Sequence, residues 1–237
     1  MSVDLYHFPP SFYSQIARFA LHEAGVAYRD RLVVNVSPFF DHYHPEFVRL
    51  NPEMTVPASR FGTEAVNGSM AIARRASQEG RSLLPDADAE VVESWIARYE
   101  GLPLGALTVG AFQKVDPSVA QAGHKRAAYL EAKLGGKVPV ELRKHFERKL
   151  ESLRADNERD EDPSSYTDAK ARYGEALDAL EAHLEDGREF IGGPSFSLAD
   201  VVWAVTMARM IWLAEAPFDG RTNLESWYQR IKTRPAF

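Results

Sequence analysis

The sequence contains no cysteine, which excludes disulfides, thiolate metal ligands and a cysteine nucleophile together and fits a reducing compartment. No apolar run approaches the roughly 18 residues that a membrane helix needs. An excess of positive charge is missing as well. Lys and Arg number 28 against 34 Asp and Glu, a net charge of −6, so there is no electrostatic footprint for nucleic acid or an anionic bilayer. Met1-Ser-Val-Asp-Leu-Tyr6 has neither the basic start nor the apolar stretch of a secretory signal, and the expected location is cytoplasmic. What is present, over 237 residues, is 45% hydrophobic and 26% charged side chains, enough for one large or two ordinary folded domains.

The first eighty residues alternate strand and helix signals. Val3 to Phe8 is β-branched and aromatic and stops at Pro9-Pro10, which neither prolong a strand nor donate a backbone hydrogen bond. From Ser11, residues Phe12, Ile16, Phe19 and Ala20 recur at helical spacing, and Gly25 suits the position just past that helix. Arg31 to Val36 reads as a second strand, joined to the first by a βαβ crossover. Ser37 to Tyr43 reads as irregular, Pro45 to Leu50 as a short helix, Val56 to Phe61 and Glu64 to Val66 as a hairpin about Gly62, and Ser69 to Ala76 as a helix.

Strand signals end there. Val91, Val92, Trp95, Ile96 and Tyr99 mark one long amphipathic helix, and Tyr166, Ala169, Tyr173, Leu177, Leu180 and Leu184 a second. A third opens at Ser197-Leu-Ala-Asp200, a capping box, and Asn223 to Thr233 forms the last. The expected division is an α/β domain over 1–84 and an all-helical domain over 89–237, with a linker at Leu84-Pro-Asp-Ala-Asp88.

Three features of the α/β part could carry chemistry. Ser11, Tyr13 and Ser14 bring hydroxyls to the start of a helix, where free amides favour an anion; taken alone, a Ser11 that merely caps the helix is the simpler reading. Val56-Pro57, at the head of a strand, is either a cis peptide or an ordinary trans turn. Asn67-Gly68-Ser69 again sets a hydroxyl at a helix start.

On these residues, Ser11-x-x-Ser14-x-x-x-Arg18, Asn51-Pro-x-x-x-Val56-Pro57, the Ser69 helix start and Phe196-Ser-Leu-Ala-Asp200, the chain resembles the glutathione S-transferases over nearly its whole length. The ending, Phe190-Ile-Gly-Gly through Trp203 and Asn223-Leu-x-x-Trp-Tyr to Phe237, is similar to the branch of bacterial tetrachlorohydroquinone dehalogenases and β-etherases. The resemblance implies an N-terminal thioredoxin-like domain, a C-terminal helical bundle, a homodimer, and glutathione as co-substrate with no metal. It implies that Ser11 stabilises the glutathione thiolate, with Tyr13 and Ser14 as neighbouring hydroxyls. Val56, beside a cis Pro57, would pair with the cysteinyl backbone, Ser69 would hold the γ-glutamyl carboxylate, and His42 the glycyl carboxylate.

Three positions depart from that pattern. Gly68 stands where an acidic residue usually precedes the serine, and Thr55 where a lysine or glutamine often grips the glycine end. Tyr13 aligns with the cysteine by which the reductive dehalogenases resolve a glutathionyl intermediate; tyrosine forms no mixed disulfide, so a complete reductive cycle of that kind is disfavoured.

For the second substrate, Tyr99, Phe112, Met207, Arg209, Met210 and Trp212, with His7 from the first strand, would line an apolar electrophile pocket, although core packing accounts for the apolar members equally well. Arg209 either meets an anion or pairs along its own helix. Asp41-His42-Tyr43-His44 lacks a further ligand at helical spacing and reads as a solvated loop, not a zinc site. Arg143 to Arg154 interleaves Glu with a stripe of Phe146, Leu150 and Leu153, which suits a solvated helix face better than nucleic-acid binding; Asp156 to Asp162 reads as a charged, mobile turn. The expected activity is glutathione transfer to an epoxide, aryl ether or halogenated compound. The alternatives are a non-enzymatic module of the same fold and a β-etherase-like lyase.

Overall fold

Alternation writes the first strand. In β1 (Val3–His7) Val3, Leu5 and His7 are buried while Asp4 and Tyr6 are half-buried, the period-2 pattern of a sheet with one face on a core. The computed structural model describes residues 2–116, 118 and 121–237. After β1 come α1 (Phe12–Ala24), β2 (Tyr28–Leu32), β3 (Asn35–Val36), β4 (Phe39–Phe40), α2 (Pro45–Leu50), β5 (Ala58–Phe61), β6 (Glu64–Asn67) and α3 (Ser69–Glu79). All later described elements are helical: α4 (Ala89–Glu100), α5 (Leu104–Val115), α6 (Ala122–Leu134), α7 (Arg143–Glu161), α8 (Pro163–His183), α9 (Leu198–Trp212) and α10 (Thr222–Lys232).

Packing divides the chain into two compact units, each drawing on both halves of the sequence. The first comprises Met1–Ser11, Arg29–Gly68 and Pro103–Ala169. Its sheet has the order β2-β1-β5-β6, with β1 antiparallel to β5 (Val3 opposite Phe61, Tyr6 opposite Ala58) and β5 antiparallel to β6 (Ala58 opposite Asn67). Asp4 takes Arg29 and Arg31 from β2 at 2.8 and 2.9 Å. Helices α5 and α6 pack on α7, and one core joins Phe40, Tyr43, Val48 and Met54 to Ala127, Leu130, Leu142, Phe146, Leu150 and Leu153.

The second unit comprises Phe12–Tyr28, Ser69–Leu102 and Lys170–Phe237. Here α1 packs on α3 and α9, and α9 on α4 and α10. From Leu198 to Met207 every residue of α9 is buried, as befits a helix hydrophobic all round. Trp203 donates its indole N–H to the Trp95 carbonyl at 3.0 Å. The expected capping box is present and does more than cap: Asp200 accepts from Ser197 N–H and Oγ at 2.9 and 2.8 Å, and from Ile191 N–H and the Trp227 indole at 2.9 Å each. Glu23, also buried, holds Arg234 through two bonds of 2.7 Å and Arg81 at 2.8 Å, tying α1 to the stretches that follow α3 and α10.

Three expectations need correction. The second strand lies earlier, at Tyr28–Leu32, because the Arg29 and Arg31 guanidiniums find Asp4 and the Val33 N–H bonds the His7 carbonyl at 2.9 Å. The stretch after it is no irregular loop: Asn35 and Val36 pair with Phe40 and Phe39 as a small antiparallel ladder, closed where the Asp41 N–H reaches the Val34 carbonyl at 2.9 Å. Nor is 156–162 a mobile turn. Helix α7 continues to Glu161, held by Arg159 on Asp156 and Asp160, both at 3.0 Å. The chain turns only at Asp162-Pro163, where Asp162 accepts from the Ser164 N–H and Oγ at 2.8 Å.

Candidate functional site

The turn between β1 and α1 presents Ser11. Its N–H bonds the Phe8 carbonyl at 2.9 Å, and the residue, half-buried, stands immediately before the first helical residue, Phe12. One turn on, Tyr13 is exposed and Ser14 is fully buried. Of the three hydroxyl residues, Ser11 and Tyr13 reach the surface.

One side chain braces the 51–57 loop. Asn51, itself buried, donates from Nδ2 to the Thr55 carbonyl at 2.8 Å and to Thr55 Oγ1 at 3.1 Å, while its Oδ1 accepts the Glu53 N–H at 3.2 Å. Thr55 is exposed, Val56 and Pro57 are buried, and the peptide between the latter two is cis, as the resemblance implied. Gly68 bonds the Pro57 carbonyl at 3.1 Å with φ +88°, a conformation that glycine adopts at no steric cost. Ser69 then opens α3. The resemblance assigns Asn51 no role; the sequence signal for one is an Asn-Pro turn with a hydroxyl four residues on.

His42 and Tyr43 differ most from expectation. They do not lie on a solvated loop: the 3₁₀ turn Asp41–Tyr43 buries both, His42 to 3% exposure and Tyr43 completely. Tyr43 joins the core with α6 and α7 and stacks on Tyr129 at 5.8 Å, an apolar partnership that the polar run Asp-His-Tyr-His does not advertise. Burial, then the Arg126 and Lys149 charges, lowers the His42 pKa to about 3, and burial raises that of the Tyr43 phenol. Because the unfolded chain takes up this proton near 6.5 and the folded chain only near 3, the neutral imidazole contributes full stability above about pH 6.5 and less as pH falls toward 3. Urea midpoints across that range should therefore drop more steeply for the natural protein than for His42→Asn; parallel curves would refute this.

The residues expected for the electrophile are found on several elements. His7 is buried, with Nε2 2.8 Å from Asp30 Oδ1, and Phe112 is half-buried on α5. In the second unit, Phe12 lies 5.2 Å from Tyr13 and 6.2 Å from Tyr99, and Arg209 sits 5.8 Å from the Phe12 ring and 4.6 Å from the Trp212 ring. Burial, with the Tyr13 phenol nearby, raises the pKa of both Tyr99 and Tyr173, so these phenols stay protonated hydrogen-bond donors. Burial lowers the Arg209 pKa. Trp212 is 61% exposed, Met210 is buried and Met207 is wholly enclosed as a core residue. Among the described residues no three His, Asp or Glu side chains gather as a metal site, and no helix is long and apolar enough to cross a membrane.

A four-stranded sheet with a cis proline at the head of β5, followed by helices alone, is the architecture of a thioredoxin-like domain with a helical C-terminal domain. Residues 10–78 match the family model of the glutathione S-transferase N-terminal domain, and 141–230 that of its C-terminal domain. The chain belongs to the glutathione S-transferase superfamily. Tetrachloro-p-hydroquinone reductive dehalogenase of Sphingobium chlorophenolicum is 29% identical over 248 residues, covering 99% of this chain and 94% of that protein. The Arabidopsis thaliana glutathione S-transferase TCHQD is 27% identical, covering 99% and 88%. In fold, a β-etherase from Sphingobium sp. strain SYK-6 matches with a TM-score of 0.75 at 18% identity, covering 100% of this chain and 97% of that one.

Proposed function

We propose that the protein is a glutathione transferase that activates the glutathione thiol and directs it onto an apolar electrophile, an epoxide, an aryl ether or a halogenated aromatic compound, in catabolism or detoxification. The observation that carries this is the half-buried Ser11 at the helix start, in the same unit as the cis Val56–Pro57 loop that Asn51 braces. Bringing a thiol of ordinary pKa about 8.5 down by two units needs about 2.7 kcal/mol. A hydrogen bond to the charged sulfur supplies about 1.5–3 kcal/mol, and a helix N-terminus about 0.3–1 kcal/mol.

In this reading residues 1–84 bind glutathione, Val56 pairing with its cysteinyl backbone, Ser69 with the γ-glutamyl carboxylate and His42 with the glycyl carboxylate, and residues 89–237 carry the electrophile. The protein works as a cytoplasmic homodimer, and its reaction is aryl or alkyl transfer. The dehalogenase relative supports a halogenated aromatic substrate. With no cysteine, the chain forms no mixed disulfide of its own, which favours transfer or β-etherase-like cleavage over thiol–disulfide exchange.

The test is the ultraviolet thiolate absorbance of bound glutathione across a pH series, read as the difference from the glutathione-free protein, to which no protein thiol contributes. The expected result is a bound thiol pKa at least about one unit below that of free glutathione. Tight binding with no shift would replace this reading with that of a non-enzymatic binding module.

A further inference from the structure

Two buried phenols of the second unit lack an acceptor. Tyr99 on α4 is 7% exposed and Tyr173 on α8 is 1% exposed, yet among the described residues neither hydroxyl makes a hydrogen bond. Other buried donors of the same unit are satisfied: the Trp203 indole meets the Trp95 carbonyl and the Trp227 indole meets Asp200. Buried polar groups are nearly always paired, and a donor sealed away without a partner is costly. Such a pair is kept where something from outside completes it.

The two phenols belong together. Tyr173 bears electrostatically on Tyr99, and the Tyr13 phenol bears on both, so hydroxyls from α1, α4 and α8 converge. Tyr13 is the exposed member and follows Ser11 by two residues. Phe12, between them in the chain, has its ring 6.2 Å from that of Tyr99 and 5.8 Å from the Arg209 guanidinium. Exposed Glu100 acts on Tyr99 and exposed Arg172 on Tyr173, with opposite charges, and half-buried Arg209 adds a positive charge beside them.

We propose that Tyr99 and Tyr173 form a subsite that reads the second substrate, each donating its hydroxyl hydrogen to an anionic oxygen group while Arg209 supplies the opposite charge. A carboxylate offers two acceptor oxygens, one for each phenol. Resting on the transferase reading given above, the preferred electrophile is an aromatic acid and not a neutral ring.

A chloronitrobenzoate with chlorine para to the carboxylate, and the corresponding chloronitrobenzotrifluoride, test this. In both, the glutathione sulfur bonds to the ring carbon and chloride leaves with the electron pair of the broken C–Cl bond; only the first carries the carboxylate. Each kcat/KM is referred to the uncatalysed reaction with glutathione, and the acid-to-neutral ratio is compared in the natural protein, Tyr99→Phe and Tyr173→Phe. The expected result is a ratio lowered about tenfold or more in each variant, with Arg209→Gln lowering it too. Because each phenylalanine removes only a hydroxyl that the fold leaves unbonded, the urea midpoint should stay at or above the natural value. A ratio that does not move overturns the proposal, and so does a lowered midpoint, which would show that the hydroxyls serve the fold. If neither compound is turned over, the transferase reading fails, and calorimetric binding of nitrobenzoate and nitrobenzotrifluoride to the same proteins still decides the subsite. A preference for nitrobenzoate that both variants lose supports it; equal affinities refute it.

Discussion

Ser11→Ala is expected to lower kcat/KM with glutathione by about 10- to 150-fold, the equivalent of one lost hydrogen bond of 1.5–3 kcal/mol to a charged sulfur, while glutathione affinity changes little. The loss has a pH signature. Without the hydroxyl the bound thiol pKa rises by about one to two units, so the acidic limb of the rate profile moves upward and the deficit narrows at high pH. A uniform loss at all pH values would indicate a disturbed site instead. Unchanged turnover would move the role to Tyr13, which is 46% exposed. Ser14 is a poor alternative, because its hydroxyl lies wholly inside the fold.

Asp200→Ala should cost about 3–5 kcal/mol, the usual penalty for removing one partner of a buried charged network. Four donors, from Ser197 twice, Ile191 and Trp227, lose their acceptor at once. Against a typical total of about 5–15 kcal/mol, that leaves a marginal protein. The urea midpoint should fall with little change in slope. Asp200→Asn keeps the volume but turns an amide N–H₂ toward two of those donors, and it should recover little of the loss. If asparagine restores the natural midpoint, shape rather than the carboxylate holds this corner together.

The fold was legible wherever one face of an element is apolar and its ends carry turn chemistry. Pro45–Leu50, the Gly62 hairpin, Ser69 as a helix start and the Ser197–Asp200 box all stand where the sequence put them. Helices α5 and α6 carry no strong apolar stripe, so the sequence pattern does not mark them. The ladder within 35–43 is not legible for a related reason: two residues per strand give too few alternations to register.

The site divides along the same line. Sequence by itself determined the superfamily, the position of Ser11 at a helix start, the Val56-Pro57 and Ser69 set, and the absence of any cysteine chemistry, because these depend on which residues are neighbours along the chain. Tertiary structure alone decided that Asn51 shapes the loop ahead of Val56, that His42 and Tyr43 are buried, that Ser14 is sealed, and that the Tyr99 and Tyr173 phenols are buried near one another. Burial and charge balance are sums over residues about a hundred positions apart. No local pattern encodes them, and they come into being only when the helices close over the loop.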